Sequence, residues 1–422
     1  MFQKQKWVLF LSAIVILLST SCTIINGKDS NKDTTTAAAA ALLLSDSTTT
    51  LSGTITSDTT ISGTVKLSGI VYVDGATLTA SAGTKVYGQS GSALVIKSGA
   101  KLVAEGTSSS PIVFTSSQAE GSRAPGDWGG IMLIGGGIAN GGGGTVEGGL
   151  NLTYGGSDNA GAGSATLKYV RIEFAGYEVS DGDELNGLSS YVTTSNTTLN
   201  YVQVHRGKDD AFEWWGGAPV GNYLLATGNQ DDDFDMDEGF QGTLTYLIGH
   251  KYSQLSSCAT TFSADPHGME MDGSPKGAAP TAGSMSNPTV SYFTLIGSNQ
   301  TSSYGMHARE GMQGTFSNGL IYGFSGNIKC TANTGGGSET APTFNSTVLT
   351  DSSKSDSCSV GTLNHQKTLS ALPVTSVGSV ETDCTVATTP DYTSTSAAGT
   401  DKGGGVSSAG KWWDSWTIYR YN

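Results

Sequence analysis

Two acidic runs in this chain repeat one another at a fixed offset. Lys208-Asp209-Asp210-Ala211-Phe212-Glu213-Trp214-Trp215 aligns without a gap on Gln230-Asp231-Asp232-Asp233-Phe234-Asp235-Met236-Asp237, 22 residues further on. The strand-like residues before each run keep that offset, since Tyr201 matches Tyr223. A repeat of this length with β-type flanks marks a solenoid with one coil per repeat. Equivalent positions on adjacent coils then lie about 4.8 Å apart, the spacing of paired strands. Carboxylates stacked at that spacing repel unless a cation or a basic group sits among them.

Strand side chains alternate between two faces. With Phe212, Trp214, Phe234 and Met236 turned inward, Glu213, Trp215, Asp235 and Asp237 turn outward. Met269-Glu270-Met271-Asp272 and Met306-His307-Ala308-Arg309 continue the pattern. One outer column then reads Glu213, Asp235, Glu270, His307, and the next Trp215, Asp237, Asp272, Arg309. Insertions at 250–266 and 274–303 leave the register of the third and fourth coils less secure. The preceding corner adds Asp209, Asp210, Asp231, Asp232 and Asp233. His205, Arg206 and Lys208 lie just upstream as partial neutralisers.

Hard carboxylate oxygens at this density suit Ca²⁺, which takes six to eight oxygen ligands. The candidate ligands are Asp209, Asp210, Glu213, Asp231, Asp232, Asp235, Asp237, Glu270 and Asp272. Zinc would want more His or Cys than the face supplies. His250, His267 and His365 show no ligand spacing. Ion pairing with Arg and Lys, or capping of turn amides, is the competing account of the same carboxylates. A catalytic account names Glu213, Asp235, Glu270, His307 and Arg309, with Lys208 a further candidate base. A lyase of the pectate type needs Asp-bound Ca²⁺ and a basic residue to remove the proton α to a uronate carboxylate. A hydrolase needs two carboxylates roughly 5 to 10 Å apart, which stacked coils readily provide.

Composition agrees with a β solenoid. Glycine reaches 59 of 422 residues and charged residues only 14%, against roughly 25% in ordinary soluble domains. That mixture disfavours helix and favours short strands with tight turns. The net charge of −14 excludes a nucleic-acid partner, which would need a basic stripe. Short apolar or alternating runs begin near Leu51, among them Val65-Lys66-Leu67, Ile70-Val71-Tyr72-Val73 and Ala93-Leu94-Val95-Ile96, each bounded by Gly or Ser. Gly135 to Gly149 reads as a loop too glycine-rich to pack.

Val73-Asp74-Gly75-Ala76-Thr77-Leu78, Gly99-Ala100-Lys101-Leu102-Val103, Pro111-Ile112-Val113-Phe114-Thr115, Asp127-Trp128-Gly129-Gly130-Ile131 and Phe212-Glu213-Trp214-Trp215-Gly216-Gly217 resemble a large family of bacterial surface β-helix proteins, mostly uncharacterised lipoproteins. The resemblance runs from about residue 70 to 325. It implies an all-β fold, a single-stranded right-handed parallel β-helix. The family carries no established reaction, so no catalytic residue transfers from it.

The expected organisation is a lipoprotein signal peptide over 1–21, a low-complexity tether over 22–50, the helix over 51–325, and an irregular, disulfide-pinned extension over 326–422. Lys4 and Lys6, the apolar run Trp7 to Leu18 and the small residues before Cys22 form a secretory signal, with Cys22 the lipidated residue. Cys258, Cys330, Cys358 and Cys384 suggest two disulfides in an exported chain, and proximity favours Cys258–Cys330 and Cys358–Cys384. The aromatic end, Trp412 to Tyr421, reads as a cap over the last coil, with a sugar-binding patch as its rival. Together these features predict a monomeric protein anchored by lipid to the outer membrane. Its expected role is non-enzymatic and adhesin-like, Ca²⁺-stabilised, meeting a host-matrix protein or polysaccharide. A Ca²⁺-dependent polysaccharide lyase or hydrolase is the alternative, and a structural envelope protein a third.

Overall fold

The computed structural model describes residues 48–155, 164–180, 183–253, 261–275, 285–334, 342–379 and 388–420. The signal peptide, Cys22 and nearly all of the tether lie outside the described residues. The chain is an all-β parallel β-helix, in which one large sheet joins its strands by parallel pairing from coil to coil, beside three small antiparallel pairs among the described residues. Its only helical element among the described residues is a 3₁₀ turn, Ser407–Ala409.

A middle coil contains one long strand and one short one. The long strands Ala165–Glu173, Thr198–His205, Val220–Thr227, Thr243–His250, Thr289–Ile296 and Thr315–Tyr322 stack in sequence order. Each bends at one residue with positive φ, successively Tyr169, Tyr201, Tyr223, Tyr246, Tyr292 and Asn318. A non-glycine residue held there costs roughly 1–2 kcal/mol. The tyrosines recover it by stacking, with ring centroids 4.4, 4.4, 4.7 and 5.2 Å apart from Tyr169 to Tyr292, at about 0.5–1.5 kcal/mol per pair. The two halves of the long strand make two faces of the helix.

The short strands make the third face. Leu188–Tyr191, Phe212–Trp215, Phe234–Asp237, Met269–Asp272, Tyr304–Arg309 and Gly326–Cys330 pair in that order. Phe212, Trp214, Phe234, Met236, Met269, Met271, Met306 and Ala308 all enter the central core. Every second residue faces away from it, as the pleat requires.

Parallel pairing begins at Thr49–Ile55 and continues past residue 325, through Leu349–Asp351 and Gln366–Leu369. Cys330 and Cys358 are register partners on adjacent coils and form a disulfide, Cα–Cα 4.2 Å. The two pairings expected from sequence proximity are therefore both wrong. Coil stacking, which proximity along the chain does not record, sets the nearest sulfur. Cys258 and Cys384 lie outside the described residues.

The aromatic C-terminal segment is not a cap on the last coil. Trp412, Trp413, Trp416 and Tyr419 lie along the flank, packed on Leu225, Ile248, Tyr252 and Ile296. Outward Leu225 and Ile248 need an apolar cover, and this segment supplies it. Burial of these tryptophans also removes them as a sugar-binding patch. Arg171 Nη1 donates to Trp416 O (2.7 Å), Gln203 brackets Ile418 (Nε2 to O 2.6 Å, N to Oε1 2.9 Å), and His205 Nε2 meets Arg420 O (2.5 Å).

Candidate functional site

The short-strand face carries the acidic column. Ser189, Glu213, Asp235, Glu270 and His307 are successive register partners, so both insertions are absorbed outside the ladder. Beside them run Tyr191, Trp215 and Asp237, then Asp272 and Arg309. Asp272 N donates to Asp237 Oδ1 (3.2 Å), tying the second column together across that coil.

The column is not an open outer face. Glu213, Asp235, Glu270 and Asp272 are only 7–9% exposed. Residues 135–155 pack along the edge of the ladder, against the residues that follow the short strands, correcting the reading of a loop that does not pack. Backbone bonds join Gly137 N to Val192 O (2.7 Å), Gly217 N to Ile138 O (2.9 Å) and Asn140 N to Glu238 O (2.9 Å). Asn140 Nδ2 reaches Gly273 O (2.7 Å), so the segment crosses four consecutive coils. At Gly135 the approach leaves no room for a side chain: a Cβ there would stand 2.4 Å from Val192 O. The segment's own Tyr154 packs tilted on Tyr191, which stacks on Trp215, with centroids 4.8 and 4.0 Å apart. Tyr154 OH donates to Glu238 Oε2 (2.5 Å). Asn186 Nδ2 donates to Glu213 Oε2.

One column of the preceding corner is built by a repeated device. Asp210, Asp232, His267 and Tyr304 each stand two residues before the matched strand position Phe212, Phe234, Met269 and Met306. Asp210 Oδ1 accepts from Asp232 N (2.7 Å), Asp232 Oδ1 from His267 N, and His267 Nδ1 from Tyr304 N (3.0 Å). His267, discounted on ligand spacing, thus belongs to the site. The alignment that exposed the ladder also carried this signal, two positions upstream.

Among the described residues, two basic side chains, Arg309 and Lys251, form ion pairs with the site's carboxylates. Arg309 grips Asp272 through Nε–Oδ1 (2.6 Å) and Nη2–Oδ2 (3.0 Å) and also pairs with Glu270. Lys251 Nζ lies 3.1 Å from Asp233 Oδ1 with both side chains buried, and also donates to Asp231 O. Ser263 Oγ donates to Asp231 Oδ1 (2.5 Å). His205 does not serve the corner as expected: it faces Thr227 and the C-terminal segment. Lys208 packs its stem against Gly126 while its charge opposes the upward shift of Asp209, as expected.

Among the described residues, no ion pair forms with Asp210, Glu213 or Asp235. Their carboxylate oxygens approach within 4.8 Å of one another, as do those of Asp209, Asp210 and Asp231, and of Asp232, Asp235 and Glu270. Burial first, then neighbouring carboxylates, pushes Asp210, Glu213, Asp235, Asp232, Asp237 and Asp209 well above the usual range. Burial raises Glu270 to about 7 and Asp272 to about 6, with Arg309 pulling both back. Burial also raises Asp231 and Asp233 to about 6. Each carboxylate of the unpaired trio must hold a proton or share a cation. The donor set fits a divalent ion that prefers oxygen.

His267 Nε2 and His307 Nδ1 lie 3.1 Å apart, each 3.4 Å from Glu270 Oε2. Burial lowers His267 to about 2 and His307 to about 4, so both rings are neutral at ordinary pH. Burial works against the Arg309 charge, yet Asp272 and Glu270 hold it above the usual guanidinium range. Arg309 is therefore no proton acceptor.

The model of the pectate-lyase like beta helix domain matches residues 53–417. No curated protein and no solved structure matches the chain. A pectate-lyase-like fold with clustered acidic groups able to chelate a metal is more consistent with catalysis than with the non-enzymatic role read from the sequence, and that role is corrected accordingly. With nearly the whole described helix inside the match, the chain belongs to the pectate-lyase-like β-helix family.

Proposed function

We propose that this protein is a Ca²⁺-dependent enzyme that cleaves an acidic polysaccharide. The observation that carries the reading is the buried trio Asp210, Glu213 and Asp235, with which no basic side chain forms an ion pair among the described residues. A cation there would supply the charge the trio lacks and a bridge to a substrate carboxylate. Asp209, Asp231, Asp237 and Arg309 are half-buried and border solvent. A uronate chain, anionic and rich in oxygen, suits a site whose cation faces such a rim. Elimination on a uronate is the first reading. Hydrolysis is the second reading, favoured by one specific observation: Arg309 is held by two carboxylates and offers no base for elimination. The proposal extends to an exported protein held at the outer membrane by lipid on Cys22, supported by the leader described above.

The test is incubation with polygalacturonate and related acidic polysaccharides in Ca²⁺ and in excess EDTA. Unsaturated product ends that form only with Ca²⁺ support elimination, and saturated new reducing ends support hydrolysis. Absence of cleavage across the panel in Ca²⁺ sinks the reading.

A further inference from the structure

His267, Glu270 and His307 have the outward look of a transition-metal site. Their facing atoms are 3.1, 3.4 and 3.4 Å apart. Three ligands on a tetrahedral ion with bonds of about 2.0–2.1 Å would be separated by roughly 3.3–3.4 Å. The hydrogen positions decide otherwise. His267 Nδ1 accepts the backbone N–H of Tyr304, taking the place that a carboxylate oxygen of Asp210 or Asp232 takes one and two coils earlier. A neutral imidazole carries one N–H, so His267 must carry it on Nε2 and has no lone pair there for a metal. That N–H points at His307 Nδ1 (3.1 Å), which must then be the acceptor. Glu270 Oε2 is the more distant neighbour, and the Glu270 carboxylate is already paired with Arg309. The proton of His307 is left on Nε2. That atom is buried, on a residue 4% exposed, and has no hydrogen-bond partner. Buried donors are rarely left unmade.

We propose that His267 and His307 form a fixed-tautomer hydrogen-bond relay, not a metal site, which aims the His307 Nε2–H at an oxygen of the bound saccharide. The order is set by the fold: Tyr304 N–H to His267 Nδ1, His267 Nε2–H to His307 Nδ1, His307 Nε2–H to the ligand. His267 is a positioning residue and His307 the contacting one. On the next coil Lys329 is the register partner of His307, so an anionic oxygen suits this donor. The identity of the ligand rests on the enzymatic reading above, but the tautomers do not.

The experiment is nitrogen-15 NMR of the full chain with labelled histidine, of which there are 5, assigned with single His→Ala variants. Both His267 and His307 are expected as Nε2–H tautomers. His307→Ala leaves the His267 tautomer unchanged, because the Tyr304 backbone sets it. His267→Ala leaves His307 as a mixture of tautomers. Should that variant not fold, the wild-type spectrum alone decides the tautomers. Nδ1–H on either ring, or loss of both ring signatures on adding Zn²⁺, overturns the relay. Trigalacturonate is expected to shift His307 Nε2 and leave His267 Nδ1 in place. An unmoved His307 at saturating trigalacturonate overturns the contact with a uronate. Failure of polysaccharide cleavage, by contrast, leaves the tautomer result standing.

Discussion

The carboxylates of the acidic column differ in what opposes them, and substitutions should sort accordingly. Asp235 sits among Asp210, Glu213 and Asp232 with no ion pair. A ligand that binds only the folded state stabilises it by about 2.7 kcal/mol at one hundred times Kd. Ca²⁺ is therefore expected to raise the unfolding midpoint of the native chain relative to EDTA, and Asp235→Asn to abolish that rise. In EDTA, Asp235→Asn should melt at or above the native midpoint, since it removes a like charge from a crowded site. Equal midpoints of the native chain in Ca²⁺ and EDTA would contradict the cation site. Arg309 is the opposite case. Its loss strands Glu270 and Asp272, and breaking such a pair costs roughly 3–5 kcal/mol. About 3 kcal/mol is expected of Arg309→Ala, because its side chain is 32% exposed. Adding Glu270→Gln and Asp272→Asn should restore most of the loss in denaturant titrations. A triple variant as unstable as the single one would mean that Arg309 acts through packing instead.

Two segments close the flanks of the helix, and they were the least legible parts of the sequence. The ladder was readable because a 22-residue offset and a period of two are carried by the residues themselves. Gly135 to Gly149 packs along the edge of the ladder largely through backbone hydrogen bonds, which follow no side-chain period. The tryptophans near the C-terminus announced burial but not the surface they bury against. Cys330 and Cys358 meet only because coils stack, and His267 is held by a backbone amide of the next coil. The C-terminal segment also carries an acid sensitivity. His205 is fully buried, its Nε2 donating to Arg420 O and its Nδ1 accepting from Thr227 Oγ1. Burial depresses it to about 3, with Arg206 and Arg171 adding to the shift. Unfolded, it titrates near 6.5, so the unfolded state binds the extra proton as pH falls from about 6.5 towards 3. Stability is complete above that window and declines by about 1.4 kcal/mol per pH unit within it. His205→Gln keeps a donor for Arg420 O without the titration. It should flatten the pH dependence of tryptophan-reported unfolding between pH 6 and pH 4, and an unchanged slope would assign the acid loss to other groups.

A solenoid has no single centre: each coil touches only its neighbours, and stability is close to a sum over coils and their interfaces. The consequences of a defect are thus local in a way they are not in a globular domain. The acidic site occupies coils in the middle of the stack, flanked on both sides, and its strands from Phe212 to Asp272 draw support from coils before and after. The last coils have support from one side only, and there the disulfide sits. Cys330 and Cys358 close a loop of 28 residues by sequence separation. On the chain-entropy account, opening it costs roughly 3–4 kcal/mol. In a globular domain that cost would fall on global unfolding. Here the pairings it secures, Gly326–Cys330 with Ser357–Cys358 and Leu349–Asp351 with Gln366–Leu369, can separate from the end without disturbing the ladder. Cys330→Ser with Cys358→Ser is expected to raise amide hydrogen exchange between residues 326 and 369 at least tenfold. The strands Phe212–Trp215 and Phe234–Asp237 should keep native protection, and Ca²⁺ its stabilising effect on them. Faster exchange spread evenly to those strands would show the molecule opening as one cooperative unit, and would make the disulfide a determinant of the site itself.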